Sequence, residues 1–295
     1  MTPGEDRQPL LLSVDFEDWH QLVRRRVGAA DWREAGPALE RQTRALLELL
    51  DALRVRATFF VLGMAARAHP YLVEGVVAAG HEIACHGDAH LPVHSQTAAE
   101  FAADLRAAVA TIEQVAGQRP RGYRAPAFSI DDRCPWAHDV LAAEGFEYDA
   151  SEHDSPRLRG RKRDSGAPHR LSVSDGELWE LPVAVWHTAG RRVPVGGPSY
   201  WGAMPTALVL RGLRSAGPLG GLYVHPYEFD PEPLDPELPA GTPVHSRAHG
   251  ALRAAQRNSA RRRAPRVLRA IAGQHPLIPY GEAHAQLSGS ATARS

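Results

Sequence analysis

Leu10-Leu11-Leu12-Ser13-Val14-Asp15-Phe16-Glu17-Asp18-Trp19 runs from a strand-length apolar stretch directly into three acids. The apolar half reads as a core strand. Carboxylates repel one another and resist burial. Several at the tip of a core strand need a cation or a proton-transfer task to balance them. A strand that merely ends and solvates its charges is the competing reading.

Working outward, similar short apolar runs recur. Leu10–Val14, Ala57–Leu62, His81–Cys85, Gly122–Arg124, Leu178–Val185 and Gly221–His225 are the expected strands. Helical patterns lie between them. Pro37 to Leu53 sets Leu39, Leu46, Leu50 and Leu53 at helical spacing. Thr97-Ala98-Ala99-Glu100 is a capping box opening a run with Phe101, Leu105, Val109, Ile112 and Val115. Pro70 and Pro205 stand where first helical turns begin. Strand–helix alternation argues for parallel βα units and an α/β fold.

The chain has 295 residues, 43% hydrophobic and 23% charged, as in a globular protein with a full core. Formal net charge is zero, so no global field recruits nucleic acid or an anionic membrane. Lys162 is the sole lysine among 34 basic residues. The basic segments Arg157–Arg163 and Arg257–Arg269 read first as solvated faces, and second as sites for an anionic polymer. No apolar run reaches the roughly 18 residues of a membrane span, and Met1–Gln8 lacks a signal-peptide core. Cys85 and Cys134 form no C-x-x-C, so a reduced, cytoplasmic protein is expected.

Three further fragments carry chemistry. His81-Glu82-Ile83-Ala84-Cys85-His86-Gly87-Asp88-Ala89-His90 places two imidazoles four apart, just past a strand, where both can reach one cation. His90 and His94 form a competing pair. His86 and His90 are favoured because they start at a strand end, as the acids do. In parallel βα architectures these carboxyl ends converge on one face. In Arg121-Gly122-Tyr123-Arg124-Ala125-Pro126-Ala127-Phe128, the proline holds the chain extended, which frees the Ala127 amide to face a cleft. Arg124 can pair with a carboxylate there. In Gly221-Leu222-Tyr223-Val224-His225-Pro226-Tyr227-Glu228, a histidine ends an apolar strand. A lone case would be a satisfied core histidine; this one is the fourth polar feature at an expected strand end. Trp19, Trp186, Tyr200 and Trp201 are candidates for an aromatic stacking platform, with core packing the ordinary role for most.

The ordered set resembles the polysaccharide deacetylases of the NodB-homology type, carbohydrate esterase family four. It has Asp15/Glu17/Asp18, His86-Gly-Asp-Ala-His90, Arg124-Ala-Pro126, Asp149-Ala-Ser and Leu222-Tyr-Val-His225, in the family's order. The wording is most similar to the subgroup associated with exopolysaccharide and exosortase loci, and the resemblance covers about Leu10 to Pro233. It implies a distorted (β/α) barrel, one divalent metal ion, usually Zn2+ with Co2+ as alternative, and hydrolytic N-deacetylation of an amino-sugar glycan. It implies Asp15 as base, Arg124 holding it, the Ala127 amide at the oxyanion, His225 as acid and Asp149 as partner of His225. Leu222, Pro126 and Trp19 would contact substrate. His86 and His90 would hold the metal with one acid. In an extended strand Asp15 and Glu17 share a face, which favours Asp15 as base and Glu17 as ligand. A gapless match to the family's adjacent acids would instead make Glu17 the base and Asp18 the ligand. Three departures stand out: Asp-x-Glu-Asp for adjacent acids, Gly87 where Ser or Thr is frequent, and Ala127 for a larger residue. A C–N hydrolase on a small amide or formamide, and an inactive glycan-binding protein, are the alternatives. Exopolysaccharide assembly machinery is a candidate partner.

The expected organisation is a flexible N-terminus over 1–8 and a single deacetylase domain over 9–233. A proline-rich linker with an Arg/Ala-rich C-terminal extension then covers 234–286, and a disordered tail 287–295. Ser151–Pro168 is expected as a long loop.

Overall fold

The computed structural model describes residues 7–155, 166–235, 237–238 and 240–292. Its strands are β1 (Leu10–Phe16), β2 (Thr58–Val61), β3 (Glu82–Cys85), β4 (Gly122–Tyr123), β5 (Tyr148–Asp149), β6 (His169–Leu171), β7 (Leu178–Glu180), β8 (Val185–Thr188), β9 (Arg191–Pro194), β10 (Gly221–Val224) and β11 (Leu277–Ile278). The helices are α1 (Trp19–Arg26), α2 (Leu39–Leu53), α3 (Gly63–Ala68), α4 (Pro70–Ala78), α5 (Ala98–Ala116), α6 (Ala137–Ala143), α7 (Pro198–Trp201), α8 (Thr206–Ala216), α9 (Val244–Arg261), α10 (Ala264–Ala272) and α11 (Tyr280–Thr292).

One sheet runs in the order β10-β1-β2-β3-β4-β5-β7-β6, with β11 pairing the start of β1. Every pairing in it is parallel except β6 with β7. The sheet curls, and a single bridge from Val183 to Gly221 brings the chain beyond β7 back to β10. The expected distorted barrel is therefore a curled sheet whose ends meet at one point.

Strand β1 shows how the sequence builds both layers. Side chains alternate across a strand. Leu10, Leu12, Val14 and Phe16 join the large core under the helices. Leu11 points the other way, into an inner cluster with Phe60, Ala84, Tyr148 and Tyr280. Ser13 and Asp15 share the face of Leu11, so the inner cluster is greasy at its base and polar toward the strand ends.

The helices follow their signals. Leu39, Leu46 and Leu50 bury the inner face of α2. The Thr97–Glu100 box caps α5 in both directions. The expected run Leu178–Val185 divides into β7 and the start of a β8–β9 hairpin. Between Pro231 and Pro243 the described residues form no strand or helix, but the stretch is pinned: Leu234 exchanges hydrogen bonds with Asn258 through both its N–H and its carbonyl.

The C-terminal extension is integral: β11 joins the sheet and Tyr280 of α11 fills the inner cluster. Helix α11 continues to Thr292, so most of the tail expected to be disordered is helical. Most of the Ser151–Pro168 loop and of the N-terminal segment lies outside the described residues, as does the Arg157–Arg163 run.

Candidate active site

Four strand ends converge on one cleft. Glu17 follows β1 immediately, His86 follows β3, Arg124 follows β4 and His225 follows β10. The cleft is a cavity of about 330 Å³ whose walls include Asp15, Glu17, His86, His90, Ala127, Tyr223 and His225.

Arg124 is fully buried and anchors the base of the site. It donates from Nη1 to Asp15 Oδ1 at 2.8 Å and to Ser13 Oγ at 2.5 Å. Its Nε donates to the Ala150 carbonyl and its Nη2 to the Tyr280 hydroxyl. Burial works against the Arg124 cation, but Asp15 and Tyr280 outweigh it and raise its pKa. Asp15 Oδ2 lies 3.9 Å from His225 Nε2.

Glu17, His86 and His90 form a compact donor set. Glu17 Oε2 sits 3.0 Å from His90 Nε2 and 3.7 Å from His86 Nε2, and one ligand atom from each lies within 4.8 Å of the others. Burial would push the Glu17 carboxyl up, but His90, His86 and His225 together hold it well below the usual carboxylate range. His86 Nδ1 lies 2.8 Å from the Arg124 carbonyl. That contact suits an Nδ1–H donor and leaves Nε2 bare for a cation. Two imidazoles and one carboxylate leave an open position, the donor set of a catalytic divalent site. The residues present fit such an ion.

Asp18 is not in this group. Its Oδ1 accepts from the His20 amide and its Oδ2 from the Gly36 amide, so it caps α1 and ties down the following loop. His94 is likewise elsewhere, on a short turn over Val93–Ser95.

His225 is braced by a residue that motif reading passed over. Its Nδ1 lies 3.3 Å from Glu228 Oε2, and the same oxygen accepts from the His225 amide. Tyr227 stacks on the ring at 4.7 Å and 20°. Burial lowers the His225 pKa, but Glu228, then Glu17 and Asp15, raise it overall. Asp149 cannot take this part. Four strands separate β5 from β10, and Asp149 instead accepts from Ala150 and Ser151 beside His138. Glu228 stands in the quoted fragment three residues after His225, a spacing that was the available signal.

Leu222 is also displaced from its expected place. On β10, Tyr223 and His225 alternate toward the cleft, so Leu222 and Val224 face the core. Trp19 lines the cleft but is mostly buried against Tyr227, Val23 and Leu234. Pro126 is buried behind the wall, while Ala127 and Phe128 line it with φ of +54° each. Consecutive left-handed residues with side chains store strain, here beside the site. Trp201 packs in the core with its Nε1 on the Val195 carbonyl.

Gly87 explains one departure. Its φ is +79°, and a Cβ would come within 2.9 Å of Asp104 Oδ2, which accepts from the Asp88 amide. A carboxylate from α5 thus occupies the space next to this loop, and a larger residue at Gly87 would clash with it.

Residues 34–147 match the model of the polysaccharide deacetylase family, and residues 150–264 match that of a domain of unknown function (DUF3473). A chitooligosaccharide deacetylase of Bradyrhizobium sp. is 37% identical over 98 residues, 33% of this chain and 42% of that protein. The matched stretches span between 19% and 42% of the curated relatives' own lengths. A Mycobacterium smegmatis structure assigned to the polysaccharide deacetylases superposes with a TM-score of 0.64 at 21% identity, covering 98% of this chain and 93% of that one. A pseudoenzyme of carbohydrate esterase family 4 from Bacillus anthracis superposes at 0.52 with 12% identity, covering 94% and 65%. These two likenesses establish the fold.

Proposed function

We propose that this protein removes N-acetyl groups from amino sugars of a glycan, using a divalent metal ion; residues 34–147 match the polysaccharide deacetylase model and the chain shares the fold of a structure assigned to that family. The observation that carries this reading is the joint placement of a metal-type donor set, an arginine-held aspartate and a braced histidine in one cleft.

Glu17, His86 and His90 would hold the ion, for which zinc is the first candidate. A divalent ion bound there supplies Lewis acidity, acidifying water and polarising the amide carbonyl. The chain's own groups do the rest. Asp15, fixed by Arg124, accepts the proton of the attacking water as its oxygen bonds to the acetyl carbon. The Ala127 amide meets the charge that develops on the carbonyl oxygen. His225, steadied by Glu228, gives its proton to the sugar nitrogen as the C–N bond breaks, leaving acetate and a free amine.

The test is acetate release from defined N-acetylated oligosaccharides by metal-loaded protein, with a chelator control. Formate release from a formamide panel instead would favour the small-amide alternative. Glycan binding without acetate release, at saturating metal, would favour an inactive binder.

A further inference from the structure

Part of the cleft's lining is cationic. His249, Arg253 and Arg257 recur every fourth residue along α9, and all three line the cavity. Arg25 and Arg26, at the end of α1, line it from the side. Helix α9 falls within the matched segment of unknown function.

These charges are unevenly answered. Arg25 is spent on the Ala89 and His90 carbonyls. Arg257 donates to Ser199, lies over the Tyr227 ring and approaches Glu228 at 4.0 Å. Arg26 and Arg253 have no carboxylate partner among the described residues. Among the described residues, the hydrogen bond of Arg253 goes to His249, itself a base. Burial, then the charges of Arg26 and Arg257, push the Arg253 guanidinium down. Like charges gathered on one cavity wall favour an incoming anion, which guanidinium groups bind through paired hydrogen bonds. The two acids of the cavity, Asp15 and Glu17, are already engaged by Arg124 and by the histidines.

We propose that Arg26 and Arg253, backed by Arg257 and His249, form a subsite for an oxyanion carried by the substrate next to its N-acetyl sugar. The inference rests on the deacetylase reading for the position of that sugar. A phosphate ester and a uronate carboxylate share the required chemistry, since both accept hydrogen bonds from guanidinium groups.

Calorimetric titration of the zinc-loaded full chain distinguishes them. The probes are N-acetylglucosamine, its 1-phosphate and a glucuronosyl-N-acetylglucosamine disaccharide. One charged probe should bind about tenfold or more tighter than the neutral sugar, and the gap should shrink at high salt. The tighter charged probe names the source. In the Arg26→Gln/Arg253→Gln double variant the gap should close. The single Arg26→Gln change, on an exposed side chain, should narrow it without altering the melting temperature. Equal binding of all probes, absence of binding, or a gap that survives the double variant would overturn the subsite. Acetate release is scored separately. Arginine-dependent anion binding without acetate release would sink the deacetylase reading and leave the anion site. Acetate release without charge preference would do the reverse.

Discussion

Arg124 spends its donors on four partners, and this is where single residues decide most. Replacing it with alanine strands a buried Asp15 and three other acceptors, so a loss of about 3–5 kcal/mol in unfolding free energy is expected, measurable by denaturant titration. Retained stability would mean that the Asp15 pair is not structural. Glu17 and Asp18 separate by position, one beside the two histidines and the other capping α1. Glu17→Gln should lower bound metal at least about tenfold by elemental analysis. Asp18→Asn should keep metal but cost up to about 2 kcal/mol of stability through the weakened α1 cap. The opposite pattern would restore the Asp18 register. At this scale the sequence was informative wherever alternation could be applied: Asp15, Glu17, His86, His90 and His225 meet as their strand ends suggested. Asp18, the alternative ligand, stands apart from the histidines as the α1 N-cap, since an N-cap and a metal ligand look alike without the helix. Asp149 was misassigned because sequence order does not reveal strand order. Leu222 failed against the same alternation that succeeded for β1: with His225 facing the cleft, Leu222 had to face away.

Among the elements, the C-terminal pair β11 and α11 changes most in meaning. Composition alone places it in an Arg/Ala-rich extension and a disordered tail. In three dimensions Tyr280 closes the inner cluster, stacks near Tyr148 and accepts from Arg124. Tyr280→Phe keeps the ring but removes the acceptor, so about 1–3 kcal/mol of destabilisation is expected in denaturant titration. It should lower acetate release without lowering metal content. Unchanged stability and turnover would show that the hydroxyl does not position Arg124. Helix α1 went unseen because its only start signal, Asp18, was read as chemistry. The β8–β9 hairpin is hidden because Val185 closes the apolar run and opens a strand of mixed polarity, Val185–Thr188, that shows no clear alternation. The signals that did hold, such as the Thr97 capping box and the leucines of α2, are local and need no knowledge of partners.

Across the whole molecule, the cleft is assembled from three stretches of chain. Asp15 and Glu17 precede both matched segments, His86, His90 and Arg124 come from the first, and His225, Glu228 and α9 come from the second. The curled sheet makes this possible by placing β10 beside β1. Sequence alternation pointed to this α/β class, and motif order pointed to the family whose model residues 34–147 match. Neither showed that the basic residues of α9 would cover the cleft, because that depends on packing over long sequence separation. Among the described residues, no helix is long and apolar enough to cross a membrane. Acetate release from N-acetylated oligosaccharides, measured for zinc-loaded wild type, chelated protein and Asp15→Asn, tests the assembled site most directly. Wild type should release acetate, chelation should abolish release and added zinc should restore it. Asp15→Asn should retain metal while releasing acetate about 10²–10⁴-fold more slowly. Undiminished release after chelation, or from Asp15→Asn, would contradict this view of the cleft, as would a metal-loaded wild type that releases none.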